Sequence, residues 1–384
     1  MFIGICGSIC SGRSTVAQYL VEHHGFKYVY TTPQPQEGAA QTPGLPQTTT
    51  STNGDAAPEA EAEAVARKHL PCLDPNRFTS PSPAANSRHL PLTKIAKDKM
   101  LPFSSPDLLL DFVTKHWQER YVTADLPTEA VLEMYSRRPF FLLISIDAPL
   151  GVRFERFRAK TAGAEATSSL EHFARMSDAH LYDVADGQLS LMNRASVRLL
   201  NTSSSLAHLY ATLGKVDLVN EDRLRPSWDT YFMALASLAA RRSNCMKRRV
   251  GCVLVREKRV ISTGYNGTPR GLRNCGEGGC GRCNDGQGSG HGLTTCLCIH
   301  AEENALLEAG RERIREEAIL YCDTCPCLTC SIKICQVGIS EVVYSQGYSM
   351  DGDAAAVFRE AGVRLRQFVP PAQGLIHLEK VEER

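Results

Sequence analysis

Two short patterns place metal-binding and proton-transferring side chains where loops lead into predicted helices. One is H-x-E, formed by His300 and Glu302, and the other is P-C-x-x-C, formed by Pro326, Cys327 and Cys330. Three protein ligands leave the fourth position of a tetrahedral zinc ion open for water, as in catalytic sites. Pro326 can begin a helix without losing a hydrogen bond, and Cys327 then lies at the positive helix end, where a thiolate is stabilised. We therefore predict a catalytic zinc site formed by His300, Cys327 and Cys330.

Glu302 lies two residues beyond His300, close to the predicted metal but in the position of a carboxylate that is not a ligand. It can take a proton from water and deliver protons to a ring nitrogen and a departing amine. Alone, a histidine at a helix start is commonly a surface or core residue, and a C-x-x-C pair can be redox-active or structural. Together, in this order and spacing, they match the zinc-deaminase signature H-x-E…P-C-x-x-C. We predict Glu302 as the catalytic acid and base.

The residues around these patterns resemble a known family. Residues 298–305 (CIHAEENA) and 324–330 (TCPCLTC) are similar to the cytidine and deoxycytidylate deaminase superfamily, and residues 264–269 (GYNGTP) are similar to the deoxycytidylate (dCMP) deaminases. The resemblance covers about 226–367 and includes the cysteine-rich loop of fungal members. It implies hydrolysis of dCMP to dUMP and ammonia, which supplies thymidylate synthesis. It also implies a homo-oligomer, often a hexamer, activated by dCTP and inhibited by dTTP.

The same resemblance suggests residues that would bind the substrate. Asn266 would contact the sugar, although Asn-Gly is also a strong turn signal, so a purely structural turn is the alternative. The substrate phosphate needs cationic or backbone donors, and Arg270 and Arg249 are the nearest candidates. The alternative for each arginine is a solvated surface position.

A second metal site is predicted in the cysteine- and glycine-rich loop after residue 266. Such a loop has little core of its own, and a structural zinc ion would order it. By resemblance to phage-type dCMP deaminases, the ligands would be Cys245 and Cys275 with two of Cys280, Cys283, His291 and Cys296. We predict Cys245, Cys275, Cys280 and Cys283, with free reduced cysteines as the alternative. Three further cysteines are expected to pack near the catalytic site, namely Cys322, Cys325 and Cys335.

An N-terminal glycine loop at residues 7–15 (GSICSGRST) follows a predicted strand and opens a helix, as a phosphate-binding loop must. Its P-loop positions are Gly7, Gly12, Arg13 and Ser14, and Arg13 replaces a lysine with which it is not interchangeable. An Asp-Ala-Pro segment begins at Asp147 and is followed by three arginines, namely Arg153, Arg156 and Arg158. Together they resemble the region that leads into the lid of nucleoside and nucleotide kinases. This domain resembles a P-loop kinase. Three functions are possible for this domain: a working kinase, a nucleotide-binding regulatory module, or a relic kept for folding. Because Arg13 replaces the lysine, binding without turnover is favoured.

Composition narrows the class of substrate. With 43 Lys+Arg against 42 Asp+Glu, the chain has no global positive field for nucleic acid or an anionic membrane, so a small-molecule substrate is favoured. No run of about 18 apolar residues predicts a membrane span. Twelve of the 15 cysteines lie at or beyond Cys245, and no signal peptide precedes them. Metal ligands in a reducing compartment are therefore expected, in the cytoplasm with the nucleus as an alternative.

The elements alternate between helix and strand, which predicts an α/β protein of two domains. Residues 1–217 are expected to form a P-loop-like parallel sheet domain, with a disordered insertion at about 31–90 that has too few apolar residues to fold. Residues 226–369 are expected to form a cytidine-deaminase-like α/β/α sandwich with a mixed five-stranded sheet, and 370–384 a tail. Within the second domain we predict helices at 227–242, 301–315 and 327–337 and strands at 250–255, 259–265, 318–322 and 341–345.

Two other classes of function compete with dCMP deamination. One is a superfamily deaminase acting on free cytidine, a pterin-pathway intermediate or a base in RNA, and the neutral net charge argues against RNA. The other is a nucleotide-sensing scaffold that uses the fold only for binding. The intact Glu302 argues against this scaffold, because a binding platform needs no acid–base carboxylate.

Overall fold

The computed structural model describes residues 1–32, 95–161, 169–203, 205–286, 292, 295–347, 351–371 and 374–378. Two β-sheets organise them, one of seven strands and one of five. The insertion predicted at about 31–90 lies outside the described residues apart from Thr31 and Thr32. None of the described helices is both long and apolar enough to cross a membrane.

The N-terminal sheet is entirely parallel, as predicted. Its order is β12-β6-β5-β1-β4-β2-β3. Its strands are β1 (Phe2–Gly7), β2 (Lys27–Thr31), β3 (Met100–Phe103), β4 (Tyr121–Thr123), β5 (Phe141–Asp147), β6 (Val197–Leu200) and β12 (Gly374–His377). The helices are α1 (Arg13–His24), α2 (Pro106–Lys115), α3 (Glu129–Ser136), α4 (Leu150–Thr161), α5 (Leu170–Tyr182), α6 (Gln188–Asn193) and α7 (Leu206–Val216). Helices α1 and α7 contribute to the core on one face of the sheet, and α2, α3, α5 and α6 to the core on the other, so β1 is apolar and buried throughout.

The segment predicted as a C-terminal tail returns to this first sheet. Residues 374–377 form β12, which pairs in parallel with β6 at the edge of the sheet. Leu378, directly after β12, is buried in the N-terminal core. The chain therefore connects the two sheets twice, once before α8 and once after β11.

The second sheet has the order β11-β10-β9-β7-β8. Strand β7 pairs antiparallel with both β8 and β9, whereas β9, β10 and β11 are parallel, so the predicted mixed five-stranded sheet is confirmed. The strands are β7 (Gly251–Arg256), β8 (Arg259–Tyr265), β9 (Ile319–Thr324), β10 (Glu341–Gln346) and β11 (Arg364–Gln367). The helices are α8 (Trp228–Ala240), α9 (Gly281–Asn284), α10 (Ala301–Ala309), α11 (Leu328–Val337) and α12 (Asp351–Glu360).

Helices cover both faces of this sheet, because successive apolar side chains along its strands point to opposite faces. Val253 and Val255 of β7 pack with α8, whereas Cys252 and Leu254 pack on the other face with α10, α11 and α12. Gly264 lets α10 approach the sheet closely, since a Cβ there would lie 2.0 Å from the Ala301 carbonyl oxygen. Strand β8 thereby fixes the start of α10, which carries the predicted site residues.

Helix α10 is shorter than the predicted span of 301–315, so that prediction is wrong at its C-terminal end. The helix ends at Ala309, and Gly310 has a φ of 65°. Glycine adopts this left-handed conformation readily, and the Gly310 N–H bonds the Leu306 carbonyl to close the last turn. A single 3-10 turn follows at Arg311–Arg313.

Candidate active site

Two helix starts hold the predicted metal ligands. His300 is the residue immediately before α10 and has an extended backbone, with no capping hydrogen bond from its side chain. Cys327 has the same position before α11, and Cys330 lies in the first turn of that helix. Three residues separate the end of β9 from the start of α11, so the ligands converge at the carboxyl end of a sheet strand.

The three ligand atoms form a compact triangle. The Cys327 Sγ lies 3.3 Å from the His300 Nδ1, the Cys330 Sγ lies 3.4 Å from it, and all three atoms are within 4.8 Å of one another. A tetrahedral zinc ion with ordinary bond lengths separates a sulfur and a nitrogen ligand by about 3.5 Å. These residues therefore fit a zinc ion with one open coordination position.

The electrostatics of the triangle favour a thiolate. Hydrogen bonds from Cys330 and from His300 lower the pKa of Cys327 to about 3, although burial opposes this. The hydrogen bond with Cys327 also raises the pKa of His300. A deprotonated sulfur is the form that binds a metal ion, so the site is arranged for a soft cation.

Glu302 is buried beside this triangle, with only 4% of its surface exposed. Burial raises its pKa to about 7, while its own backbone N–H and the nearby His300 oppose the shift. A carboxyl group with a pKa near neutrality can both accept and donate a proton at physiological pH. The neighbouring Glu303 differs, because its carboxylate forms an ion pair of 2.7 Å with Lys333.

Asn266 is 7% exposed, and its side chain is engaged mainly by the protein itself. Its Oδ1 accepts hydrogen bonds from the Ser243 hydroxyl (2.7 Å) and the Val250 N–H (2.9 Å), and its Nδ2 donates to the Arg248 carbonyl (2.7 Å). A carboxamide has two donor hydrogens, so one N–H remains for another partner. Asn266 thus ties the end of β8 to the segment before β7.

A basic cleft lies between the segment after α8 and the cysteine-rich loop, and none of the three triangle residues is among its lining residues. It has a volume of about 720 Å³ and includes Arg249 among its lining residues. Arg248, also in the lining, donates a hydrogen bond of 3.2 Å to Thr324, three residues before Cys327. Arg270 is almost fully exposed and lies 3.7 Å from Glu308, near the opposite end of α10. The cationic lining of the cleft consists of Arg241, Arg242, Lys247, Arg248 and Arg249.

The cysteine loop does not bring the four predicted ligands of the second metal into one group. Cys245, Cys275 and Cys283 lie together, but their fourth neighbour is Cys298, whereas Cys280 belongs to a group with Cys283, Cys296 and Cys298. The predicted set of Cys245, Cys275, Cys280 and Cys283 is corrected accordingly. His291, an alternative ligand, lies outside the described residues.

The N-terminal glycine loop lies between β1 and α1, as predicted. Gly7 and Gly12 have φ values of 146° and 112°, and a Cβ at Gly7 would lie 1.9 Å from the Ile146 carbonyl oxygen. The Ser8 hydroxyl donates to Asp147 at the end of β5. Within the described part of the chain, Arg13 has no hydrogen-bond or ion-pair partner.

The three predicted lid arginines have different environments. Arg153 is buried and donates to the Ala148 carbonyl and the Ser177 hydroxyl, so it stabilises the interior. Arg156 donates to the Ser11 carbonyl at 3.1 Å and so contacts the glycine loop directly. Arg158 is exposed and pairs with Glu155 on its own helix.

The chain matches known proteins over both sheets. The model of the cytidine and deoxycytidylate deaminase zinc-binding region matches residues 226–346. A deoxycytidylate deaminase of Schizosaccharomyces pombe is 43% identical over 97% of this chain and 99% of its own length. The chain belongs to the deoxycytidylate deaminase family.

A second curated relative agrees with this membership, and one solved structure is also similar. A deoxycytidylate deaminase of Saccharomyces cerevisiae is 50% identical over 69% of this chain and 86% of its own length. The crystal structure of a cyanophage S-TIM5 dCMP deaminase with dCMP and dUMP is 30% identical, covers 36% of this chain and 94% of that chain, and has a TM-score of 0.31.

Two residues of this deoxycytidylate deaminase family member were missed from sequence alone. Cys298 lies in both cysteine groups, and its signal was the Cys296-Leu297-Cys298 spacing, a C-x-C pattern directly before the H-x-E motif. Arg248 had no comparable signal, because only the fold brings it against Thr324.

Proposed function

We propose that this protein hydrolyses dCMP to dUMP and ammonia, and so supplies precursor for thymidylate synthesis. The observation that carries the proposal is the triangle of His300, Cys327 and Cys330 beside the buried Glu302, in a chain of the deoxycytidylate deaminase family. The relatives from the two yeasts are named as deoxycytidylate deaminases.

His300, Cys327 and Cys330 would hold a zinc ion and leave one coordination position open. A bound zinc ion supplies Lewis acidity, which lowers the pKa of water towards neutrality. Glu302 removes a proton from the water whose oxygen forms a bond to C4 of the cytosine, and it transfers that proton to the ring nitrogen N3. It then carries the second proton of the same water, now the hydroxyl hydrogen on C4, to the amino group. The bond between C4 and that nitrogen breaks, the C4 oxygen becomes a carbonyl, and ammonia leaves.

The basic cleft would receive the 5′-phosphate. Arg248 reaches the segment that leads into Cys327, and Arg249 lies beside it in the cleft lining. A guanidinium group forms paired hydrogen bonds with a phosphate, which favours the nucleotide over the nucleoside. The remaining N–H of Asn266 would donate to the sugar. Arg270, held near Glu308, is less suited to this role than Arg249.

Product analysis tests the reaction directly. Purified zinc-loaded protein given dCMP should form dUMP and ammonia in equal amounts, and each should match the dCMP consumed. Release of ammonia without dUMP, or consumption of dCMP without ammonia, would exclude hydrolytic deamination. In the same assay, dCTP should activate and dTTP inhibit, as the family resemblance implies for an assembled homo-oligomer.

A structural zinc ion is also proposed for the cysteine-rich loop. Cys275, Cys280, Cys283 and Cys298 are buried in a stretch with many glycines and few large apolar residues. Coordination bonds would replace the core that such a loop lacks.

We further propose that the N-terminal domain binds nucleotide phosphates without turnover. The glycine loop lies at the carboxyl end of β1, where parallel sheets bind ligands, and at the start of α1, where backbone N–H groups point outwards. Arg13 forms no hydrogen bond or ion pair among the described residues, and its charge is offset only through space, by Asp125 among others. A bound phosphate would give it a direct partner.

Replacing Arg13 by alanine should weaken ATP binding about 10-fold to 100-fold, because a hydrogen bond to a charged group contributes about 1.5 to 3 kcal/mol. Isothermal titration calorimetry would measure the loss. Arg175→Ala is the control, since Arg175 is exposed and pairs with Glu171 on its own helix. Equal ATP affinity of wild type and Arg13→Ala would reject the site, and ready phosphoryl transfer by the wild type would contradict binding without turnover.

A further inference from the structure

Six cysteines from three chain segments meet in one cluster beside the catalytic triangle. Four are buried, and the other two are partly buried. One segment follows α8, the second contains α9, and the third leads directly into His300. The six are Cys245, Cys275, Cys280, Cys283, Cys296 and Cys298.

Their sulfur atoms divide into two groups of four that share two members. One group contains Cys245 and Cys275, the other contains Cys280 and Cys296, and both contain Cys283 and Cys298. Within each group all sulfurs are within 4.8 Å of one another. A single tetrahedral ion accepts four ligands, so one zinc ion in either group would leave two cysteines of the other group without a metal.

The separations between sulfurs match metal coordination. Cys283 lies 3.7 Å from Cys245, 3.9 Å from Cys296 and 3.9 Å from Cys298. Two sulfurs on one tetrahedral zinc ion are about 3.8 Å apart when each bond is about 2.3 Å. A disulfide would need about 2.05 Å, and all six cysteines are free.

The pattern of hydrogen bonds also distinguishes the two shared sulfurs from the four unshared ones, and this observation does not depend on the sulfur–sulfur distances. The backbone N–H of Met246 donates to Cys275, that of Leu297 donates to Cys280, and the Arg282 guanidinium donates to Cys296. Cys245 receives the N–H groups of Lys247 and Arg248.

Among the described residues no N–H donates to the sulfur of Cys283 or Cys298, the two that both groups share. This is the expected division, because a sulfur bound to two metal ions has fewer lone pairs left than a sulfur bound to one. The N–H donors also offset the negative charge that a zinc–thiolate cluster retains.

We propose that the cluster binds two zinc ions bridged by the thiolates of Cys283 and Cys298. Each ion then has four sulfur ligands, two of its own and two shared. This inference rests on the structural zinc proposed above and specifies its number and ligands. With the ion of the catalytic triangle, each of the three ligand groups found among the described residues then holds one ion.

The cluster also positions the catalytic histidine. Cys298 is two residues before His300, and the intervening Ile299 pairs with Gly267 through backbone hydrogen bonds of 3.0 and 3.2 Å. A bridging thiolate fixes this segment from one side and the Gly267 pairing fixes it from the other. Loss of the bridge should therefore weaken zinc binding at the triangle as well.

Zinc content of the full-length protein tests the proposal. Mass spectrometry of protein freed from loosely bound metal should give three zinc ions per chain, and Cys327→Ser, which removes a catalytic ligand, should give two. Two ions in the wild type would overturn the bridged cluster and leave a single structural zinc. One ion would overturn both proposals.

Cadmium substitution provides a second measurement that needs no variant. In ¹¹³Cd NMR of the substituted protein, two all-sulfur sites that share thiolates should show coupling between their cadmium signals. All-sulfur signals without such coupling would contradict bridging.

Cys296→Ser should reduce the zinc content from three ions to two, whereas Cys335→Ser, outside every ligand group, should leave it unchanged.

Discussion

Replacing Glu302 by glutamine should lower kcat for dCMP by about 100-fold to 10,000-fold while the zinc content and Tm stay close to those of the wild type. The amide has nearly the same shape as the carboxyl group but cannot shuttle protons. The loss corresponds to about 3 to 5 kcal/mol of transition-state stabilisation. Glu302 is buried and does not belong to the ligand group, so the substitution removes proton transfer and leaves metal binding intact.

Glu303→Gln is the matched control for this variant. Glu303 is the next residue along α10, but its carboxylate pairs with Lys333. Its substitution should cost little, since partly exposed ion pairs contribute about 0 to 1 kcal/mol. Steady-state kinetics together with metal analysis would separate the two outcomes. Near-normal turnover by Glu302→Gln would remove Glu302 from the mechanism.

Replacing Cys327 by serine should abolish zinc binding at the triangle and reduce activity by at least about 1,000-fold. A thiolate binds zinc strongly, whereas a serine hydroxyl stays protonated near neutral pH and is a poor ligand. The remaining His300 and Cys330 offer only two ligands. Metal analysis should show the loss of one zinc ion per chain, and added zinc should restore little activity.

Cys335→Ser controls for the loss of a cysteine from the same helix. Cys335 lies in α11 but belongs to none of the metal-ligand groups. It should keep wild-type activity and metal content. Full activity and full zinc content in Cys327→Ser would show that the metal is held elsewhere.

The catalytic triangle could be predicted from sequence because its information is local. His300 and Cys327 each directly precede a helix, and Cys330 follows within one turn, so motif spacing and helix geometry suffice to place them. The strands β7 and β8 were predictable for a similar reason, since a short turn joins them. The end of α10 was misplaced because the pattern continued past Gly310, whose positive φ stops the helix.

Features that depend on distant pairing were harder to predict. Strand β12 has only four residues, and its partner β6 lies far back in the sequence, before the whole second sheet, so no local pattern distinguishes it from a tail. The strand β4 has only three residues and pairs with the distant β1, so its local pattern is equally weak. The division of the six cysteines into two groups requires three segments to meet, which spacing alone does not encode.

The most direct test of the central claim is kcat/KM for dCMP, deoxycytidine, CMP and cytidine, measured side by side with zinc-loaded wild-type protein in the presence and absence of dCTP. The account predicts that dCMP is turned over far more efficiently than the other three, because both the phosphate in the basic cleft and the deoxyribose contribute to recognition. Equal or better turnover of cytidine, or no turnover of dCMP, would contradict it.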